Sequence, residues 1–199
     1  MIACLNYDLG CAMKVLVLGI FCLLLVSCRT GGGDDSPKLH DFYRELSAAD
    51  MLVQIRADFG DRTAEYRVRY SLSLDEERVT IVEPVELAEI SVLVLEGGTR
   101  LEFDGLVLET GALPGTGLSP LEAIPFTVRT WRDGHITAQG EETLDGVRVV
   151  RAVHTSTYDG QSLQVVTWFD TETLHPLRSE TYVDGTAVLI LTFLTVTLG

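Results

Sequence analysis

The strongest constraint on the fold of this chain is a period-two pattern of apolar residues that recurs between tight turns. In residues 64–74, Tyr66, Val68 and Tyr70 alternate with polar side chains. Such alternation places one set of side chains on each face of a half-buried β-strand. Five Asp-Gly pairs follow between residues 104 and 185, and this pair favours the two-residue turn of a β-hairpin, whose central residues need positive φ. Together these features predict an up-and-down antiparallel sheet.

The predicted strands share β-branched and aromatic residues and are separated by short turns. They cover residues 51–59, 64–74, 78–82, 89–96, 99–103, 135–142, 147–157, 162–170, 177–183 and 186–198. Several of them are apolar on both faces, which a sheet with one solvated face does not require. Two explanations stay open. Either both faces are covered by a well-packed core, or an apolar cavity lies between a curved sheet and its helices.

Two helices are predicted beside the sheet. The Ser-Pro pair at 36–37 suits the start of a helix, and the apolar stripe that follows extends this helix to about residue 48. A loop over residues 111–120 precedes the second helix, in which Pro125 is expected to cause a kink or a split. The predicted fold class is therefore mainly β, with an N-terminal helix and a central helix.

The N-terminal segment indicates export. All four cysteines lie in the first 28 residues, so the domain that follows is expected to contain neither a disulfide nor a cysteine metal site. After Met13 and Lys14, the apolar run 15–26 is shorter than the about 20 residues that cross a bilayer. It is typical of a signal-peptide core. We therefore expect residues 1–27 to be a signal peptide, with Met13 as the natural start.

This segment ends in Leu25-Val26-Ser27-Cys28, which resembles the lipobox of bacterial lipoproteins. In that family the cysteine receives a diacylglycerol and the peptide is cut just before it, so the resemblance implies that Cys28 is lipidated. Residues 28–38 are glycine-rich and are expected to form a flexible tether. Because two acyl chains give a stable anchor, we expect attachment outside the cytoplasm, to the cell membrane or to an outer membrane. An ordinary secretory signal or a short membrane anchor is the alternative.

The charge balance and the missing motifs exclude several functions. The chain has 15 Lys+Arg against 29 Asp+Glu, a formal net charge of −14. Nucleic-acid binding needs a basic surface, so nucleic acid is not an expected partner. No phosphate loop, zinc-protease motif or serine-hydrolase motif occurs. The histidines, His40, His135, His154 and His175, are far apart in sequence. We expect no metal site, no cofactor and no enzymatic activity.

One motif and the order of segments resemble the LolA/LolB-like lipoprotein carrier superfamily. The motif is the stretch 166–178, Val-Thr-Trp-Phe-Asp-Thr-Glu-Thr-Leu-His-Pro-Leu-Arg, followed by Tyr-Val-Asp-Gly at 182–185. Residues 115–120 lie where that family has its central helical lid. Over residues 39–199 the resemblance implies an unclosed β-barrel. Its helices plug the concave side, and an apolar cavity lies between them and the sheet.

The resemblance also implies a function, with two alternatives. Members of the superfamily hold acyl chains of lipoproteins or lipids, which implies a membrane-anchored lipoprotein with a hydrophobic ligand. Some anchored relatives are instead protein partners, such as germination lipoproteins that work with a cell-wall amidase. A large cavity would favour the first function, and a filled core with an exposed apolar patch would favour the second.

The candidate cavity residues are mostly large and apolar, and such residues also fill ordinary cores. Both interpretations stay open for them at this point. We expect the two tryptophans to flank the concave side of the sheet. The candidates are Tyr66, Tyr70, Leu113, Leu118, Ile124, Trp131 and Trp168.

Overall fold

The structure is a computed structural model, and it describes residues 36–95, 98–103, 106–111, 118–158 and 160–199. The predicted signal peptide, Cys28 and most of the predicted tether lie outside the described residues. The elements in chain order are α1 (Ser36–Arg44), β1 (Ala49–Asp58), β2 (Thr63–Leu72), β3 (Glu77–Glu83), a 3₁₀ turn (Val85–Leu87), β4 (Ser91–Leu95), β5 (Gly98–Phe103), β6 (Leu106–Gly111), α2 (Pro120–Asp133), β7 (His135–Leu144), β8 (Val147–Tyr158), β9 (Gln161–Asp170), β10 (Pro176–Val183) and β11 (Thr186–Leu198).

The eleven strands form one sheet in the order β6-β5-β4-β3-β2-β1-β11-β10-β9-β8-β7. Each pair of neighbours is consecutive in the chain except β1 and β11, whose antiparallel pairing joins two meanders. Among the described strands, β6 and β7 are the two free edges and do not pair with each other, so the barrel does not close. The predicted fold class, an unclosed antiparallel barrel with an N-terminal and a central helix, is confirmed.

The Asp-Gly pairs form hairpin turns at some positions but not at all of them. Residues 145–146 have φ of 50° and 85°, and residues 184–185 have φ of 48° and 79°, as a type I′ turn requires. The pair 133–134 is different, because Asp133 ends α2 and the following glycine has φ of −77°. The expectation of a hairpin turn there is wrong. The pair 104–105 and residue 159 lie outside the described residues.

The first helix is shorter than the sequence predicts, because the C terminus binds the backbone that would extend it. The N–H groups of Ser47 and Ala48 donate to the carbonyl of Gly199 at 3.1 and 3.0 Å, and the Gly199 N–H donates to the Ala48 carbonyl at 2.9 Å. Hence α1 ends at Arg44, and β1 begins immediately after this junction.

Three other boundaries differ from the predictions. Strand β2 ends before Leu74, which is 90% exposed in the turn to β3. Strand β6 was not predicted. A kink or a split was expected at Pro125; helix α2 is continuous, so the split does not occur. Pro125 is buried, and the burial of its ring offsets the backbone hydrogen bond that a proline cannot make.

Both helices pack on the same face of the sheet, which we call the inner face. On β1 this face carries Met51, Val53 and Ile55, all fully buried. The register places Val53 opposite Phe193 and Ile55 opposite Leu191 of β11. Side chains of α1, α2 and the inner face form one continuous hydrophobic core.

The end of α2 supplies a stability prediction. A Cβ at Gly134 would lie 2.2 Å from the carbonyl oxygen of Thr130, which accepts the Gly134 N–H at 2.9 Å. The Thr130 carbonyl belongs to the backbone, so the backbone must move to relieve this clash. We therefore expect Gly134→Ala to lower the free energy of unfolding by about 2 kcal/mol in urea titrations. A Cβ at Gly140 meets nothing within 4 Å, so Gly140→Ala is the matched control. Equal stabilities of the two variants would contradict the prediction.

Candidate functional site

Aromatic side chains cover the middle of the inner face. The Trp131 ring of α2 contacts the rings of Tyr43, Phe169 and Phe193 at centroid distances of 5.1, 5.4 and 5.7 Å. The indole N–H donates to Thr167 Oγ1 at 2.9 Å, and that hydroxyl is also hydrogen-bonded to a serine of β10. A buried indole needs such a partner. This part of the half-barrel is filled core.

A cavity of about 590 Å³ remains at the end of the half-barrel where α2 begins. Its volume falls within the range of roughly 300–1,000 Å³ that is usual for small-molecule sites. Its walls come from the ends of β1, β8 and β10, the starts of β9 and β11, and the residues around the start of α2. The aliphatic part of the lining includes Ala57, Leu118, Leu163, Val183, Val188 and Leu189.

The cavity has a buried apolar floor and an exposed rim. On the floor, Ala57, Leu163 and Leu189 are all at most 3% exposed. At the rim, Phe59 is 44% exposed, and the guanidinium of Arg62 lies 5.2 Å from the centre of its ring. An apolar chain that enters from the rim would therefore lose contact with water as it reaches the floor.

A few polar groups border this apolar space. Ser119 precedes α2 but its side chain makes no capping hydrogen bond, and its hydroxyl oxygen is buried without a partner among the described residues. The Tyr158 hydroxyl donates to the Glu122 carboxylate at 2.9 Å, and its ring meets Phe126 edge-on at 5.6 Å. These contacts of Tyr158 connect the first turns of α2 to the end of β8 beside the cavity.

The structure does not bring the predicted cavity residues together. Leu118 lines the cavity, and Leu113 lies outside the described residues. Ile124 and Tyr70 lie in the packed core. Tyr66 borders a separate depression of about 180 Å³ on the other meander. Trp131 belongs to the aromatic cluster described above.

Burial determines the chemistry of Tyr70. Its hydroxyl donates to the Glu77 carboxylate at 3.0 Å. Desolvation, together with the negative charge of Glu77, raises the pKa of Tyr70 far above its usual value. Tyr70 is therefore a neutral hydrogen-bond donor inside the core.

Trp168 lies on the outer face, so the expectation that both tryptophans flank the concave side is wrong. Successive strand residues point to opposite faces, and Thr167 and Phe169 both contact Trp131 on the inner face. The Trp168 indole donates to the Glu142 carboxylate, and the guanidinium of Arg151 lies 5.8 Å from its ring centre. Ligand contact by any of the predicted residues stays a prediction.

The motif that carried the family resemblance builds the turn between β9 and β10. The Asp170 carboxylate accepts the backbone N–H groups of Glu172 and Thr173 at 2.9 and 2.8 Å. These hydrogen bonds, that of Thr173 first, lower the pKa of Asp170. The Tyr43 hydroxyl donates to the Leu174 carbonyl at 2.7 Å, which attaches α1 to this turn. The motif therefore has a structural role.

Several lining residues were not predicted from the sequence. Val183, Val188 and Leu189 lie within predicted strands, and Tyr158 follows the predicted strand 147–157. They meet because the hairpin between β10 and β11 lies beside the ends of β1 and β8, which only the strand register decides. The sequence contains no local signal for that.

The described residues contain no group of three or more His, Cys, Asp or Glu side chains arranged to hold a metal ion. No helix among them is long and apolar enough to cross a membrane.

Comparisons with known proteins give similarity of structure only. No family model matches this chain, and none of the curated proteins matches it. An uncharacterized conserved protein from Thermus thermophilus is 12% identical with a TM-score of 0.52, over 83% of this chain and 88% of that one.

Two further solved structures are similar to this chain. A domain from Vibrio parahaemolyticus, provisionally named for outer membrane lipoprotein sorting, has 10% identity and a TM-score of 0.49, covering 81% of this chain and 90% of its own. A LolA superfamily protein from Nitrosomonas europaea has 16% identity and a TM-score of 0.44, covering 82% and 93%. At these identities the likeness to the solved structures is one of fold alone.

Proposed function

We propose that this protein is a lipid-anchored extracytoplasmic lipoprotein that binds a hydrophobic ligand, the acyl chains of a lipoprotein or lipid, in the cavity of its half-barrel. The observation that carries this proposal is the cavity of about 590 Å³ with its buried aliphatic floor. We propose no catalytic role for any residue.

The lining supports a hydrophobic ligand for a physical reason. Burial of apolar surface contributes roughly 25 cal/mol per Å², and the floor around Leu163 and Leu189 offers such surface without a charged group among its described residues. The few polar groups, such as the Ser119 hydroxyl, suit a ligand that also has a hydrogen-bonding end. An acyl chain with a polar end has both properties.

A cavity-filling variant tests ligand binding. Val183 lines the cavity and lies opposite Leu163 of the floor, so Val183→Phe is expected to occupy part of the cavity and to weaken binding of a fatty-acyl monoglyceride at least tenfold in calorimetric titrations. Val147 is an exposed residue of β8 outside the lining, and Val147→Phe should leave binding unchanged. Saturable binding that survives Val183→Phe would contradict the cavity as the site.

The anchor has its own test. Cys28→Ser, expressed in a bacterium, is expected to lose lipid labelling and membrane retention, because the thiol that would receive the diacylglycerol is absent. The measurement is the distribution of the protein between membrane and soluble fractions. Full membrane retention of the variant would contradict lipidation at Cys28.

A second candidate function is an anchored adaptor for a cell-envelope enzyme, such as a cell-wall amidase. The observation that favours it is the aromatic packing around Trp131, which fills the middle of the inner face. If the unsubstituted protein shows no saturable acyl-ligand binding and purifies without lipid, the adaptor function is preferred.

A further inference from the structure

Two carboxylates lie beside the cavity. Asp58 ends β1 and lines the rim, where its carboxylate accepts the Gly60 N–H at 2.8 Å. Glu122, in the first turn of α2, is half-buried and accepts the hydroxyl hydrogen of Tyr158, a lining residue. The polar end of a ligand whose chain occupies the floor would lie near these two negative charges.

Positive charge is scarce at the same place. Among the described lining residues there is no lysine or arginine. The guanidinium of Arg62 lies against Phe59 at the rim, so one cation partly offsets the two carboxylates. The net charge of −14 adds a long-range field that repels anions.

We propose that the cavity takes amphiphiles whose polar end is uncharged or cationic, such as an acyl chain esterified to glycerol, and selects against those that end in a carboxylate or phosphate. This inference rests on the proposed function, since it names the ligand class of the same cavity. The cause is repulsion between Asp58, Glu122 and an anionic head held at the rim, where charges interact more strongly than in bulk water.

The test compares three probes that share one alkyl chain: monododecanoylglycerol, dodecyltrimethylammonium and dodecanoate. The protein is the full chain with Cys28→Ser, which keeps its own acyl chains out of the cavity. Calorimetric titration at low ionic strength should show dodecanoate binding about tenfold more weakly than the glycerol ester. High salt should narrow this difference, because salt screens charges at an exposed rim.

Neutral variants test whether Asp58 and Glu122 cause the weaker binding of dodecanoate. Asp58→Asn keeps an oxygen for the Gly60 N–H, and Glu122→Gln keeps one for the Tyr158 hydroxyl, so each removes a charge and preserves the geometry. Each should strengthen dodecanoate binding about threefold and leave the glycerol ester unchanged. Arg62→Gln should have the opposite effect on the dodecanoate affinity, because it removes a positive charge at the rim, and should weaken dodecanoate binding further.

Asp50→Asn is the matched control. Asp50 is an exposed residue of the same strand as Asp58, eight positions earlier and therefore about 26 Å away along an extended backbone. Asp50→Asn lowers the net negative charge by the same amount as Asp58→Asn. It should not change the ratio of the affinities for dodecanoate and the glycerol ester. A ratio that shifts equally in Asp50→Asn and Asp58→Asn would overturn the assignment to the rim.

The remaining outcomes separate this inference from the proposed function. If dodecanoate binds as tightly as the glycerol ester, the selection against anions is overturned while the proposed hydrophobic ligand stands. If none of the three probes binds, the proposed function fails and the inference fails with it.

Discussion

Trp131→Ala is expected to lower the free energy of unfolding by about 3–5 kcal/mol, the usual cost of removing a fully buried tryptophan. The indole of Trp131 is 1% exposed and contacts three aromatic rings of α1, β9 and β11. Its removal leaves a void between the helices and the sheet. It also removes the indole N–H from which Thr167 Oγ1 accepts a hydrogen bond. Urea titration should show a lower midpoint with an unchanged slope.

Trp168→Ala is the matched control, because it removes the same kind of side chain from the opposite face of the sheet. Trp168 is half-buried and its hydrogen bond to Glu142 is exposed, so we expect a loss of about 1 kcal/mol. Should Trp131→Ala fail to fold, Trp131→Phe keeps a ring in place and should lose about 2 kcal/mol. Equal losses for Trp131→Phe and Trp168→Ala would contradict a core role for Trp131.

The sheet could be predicted from the sequence because its signals are local. Period-two alternation and turn residues depend on neighbours in the chain, and the hairpin turns at 145–146 and 184–185 follow from Asp-Gly between two strand-like runs. The same pair at 133–134 ends a helix instead. The length of α1 could not be predicted, because a distant segment decides it. Helix α1 stops early because Gly199 binds the backbone of Ser47 and Ala48, and nothing near residue 45 indicates this.

The candidate site was harder to predict for the same reason. Whether a large apolar residue lines a cavity or fills a core depends on what faces it, and only the strand register decides that. Tyr70 and Ile124 are completely buried by other side chains, whereas Leu118, also buried at 9% exposure, borders the cavity at the end of the half-barrel. The strand alternation itself did contain one usable signal. Thr167 and Phe169 flank Trp168, so the three could not all share one face.

Acidification from pH 6.5 to about pH 4 is expected to remove about 3 kcal/mol of stability through one side chain, His154. His154 lies on the inner face of β8 and is 2% exposed. Its Nδ1 atom has no hydrogen-bond partner in the described part of the chain. Burial first, and then the charges of His40 and His135, lower the pKa of His154 from 6.5 to about 4.

The direction of this pH effect on stability depends on whether the folded or the unfolded state binds the proton more tightly. The unfolded chain protonates His154 near pH 6.5, while the folded protein resists protonation until about pH 4. The contribution of His154 is therefore fully present above pH 6.5 and is lost as the pH falls towards 4. His154→Leu removes the proton-binding group and leaves an apolar side chain in an apolar place, so its stability should fall less over this range.

The measurement is the difference between the two proteins in urea titrations at pH 7 and pH 4.5, because the carboxylates that also titrate there are common to both and cancel. Gln164→Leu, at an exposed position of β9, is the matched control, because it introduces the same apolar side chain without removing a titrating group, and it should retain the pH dependence of the unsubstituted protein. A difference between His154→Leu and the unsubstituted protein that is the same at both pH values would contradict the prediction. It would mean that His154 accepts a proton equally well in the folded and unfolded states, and that the inner face of β8 is open to water.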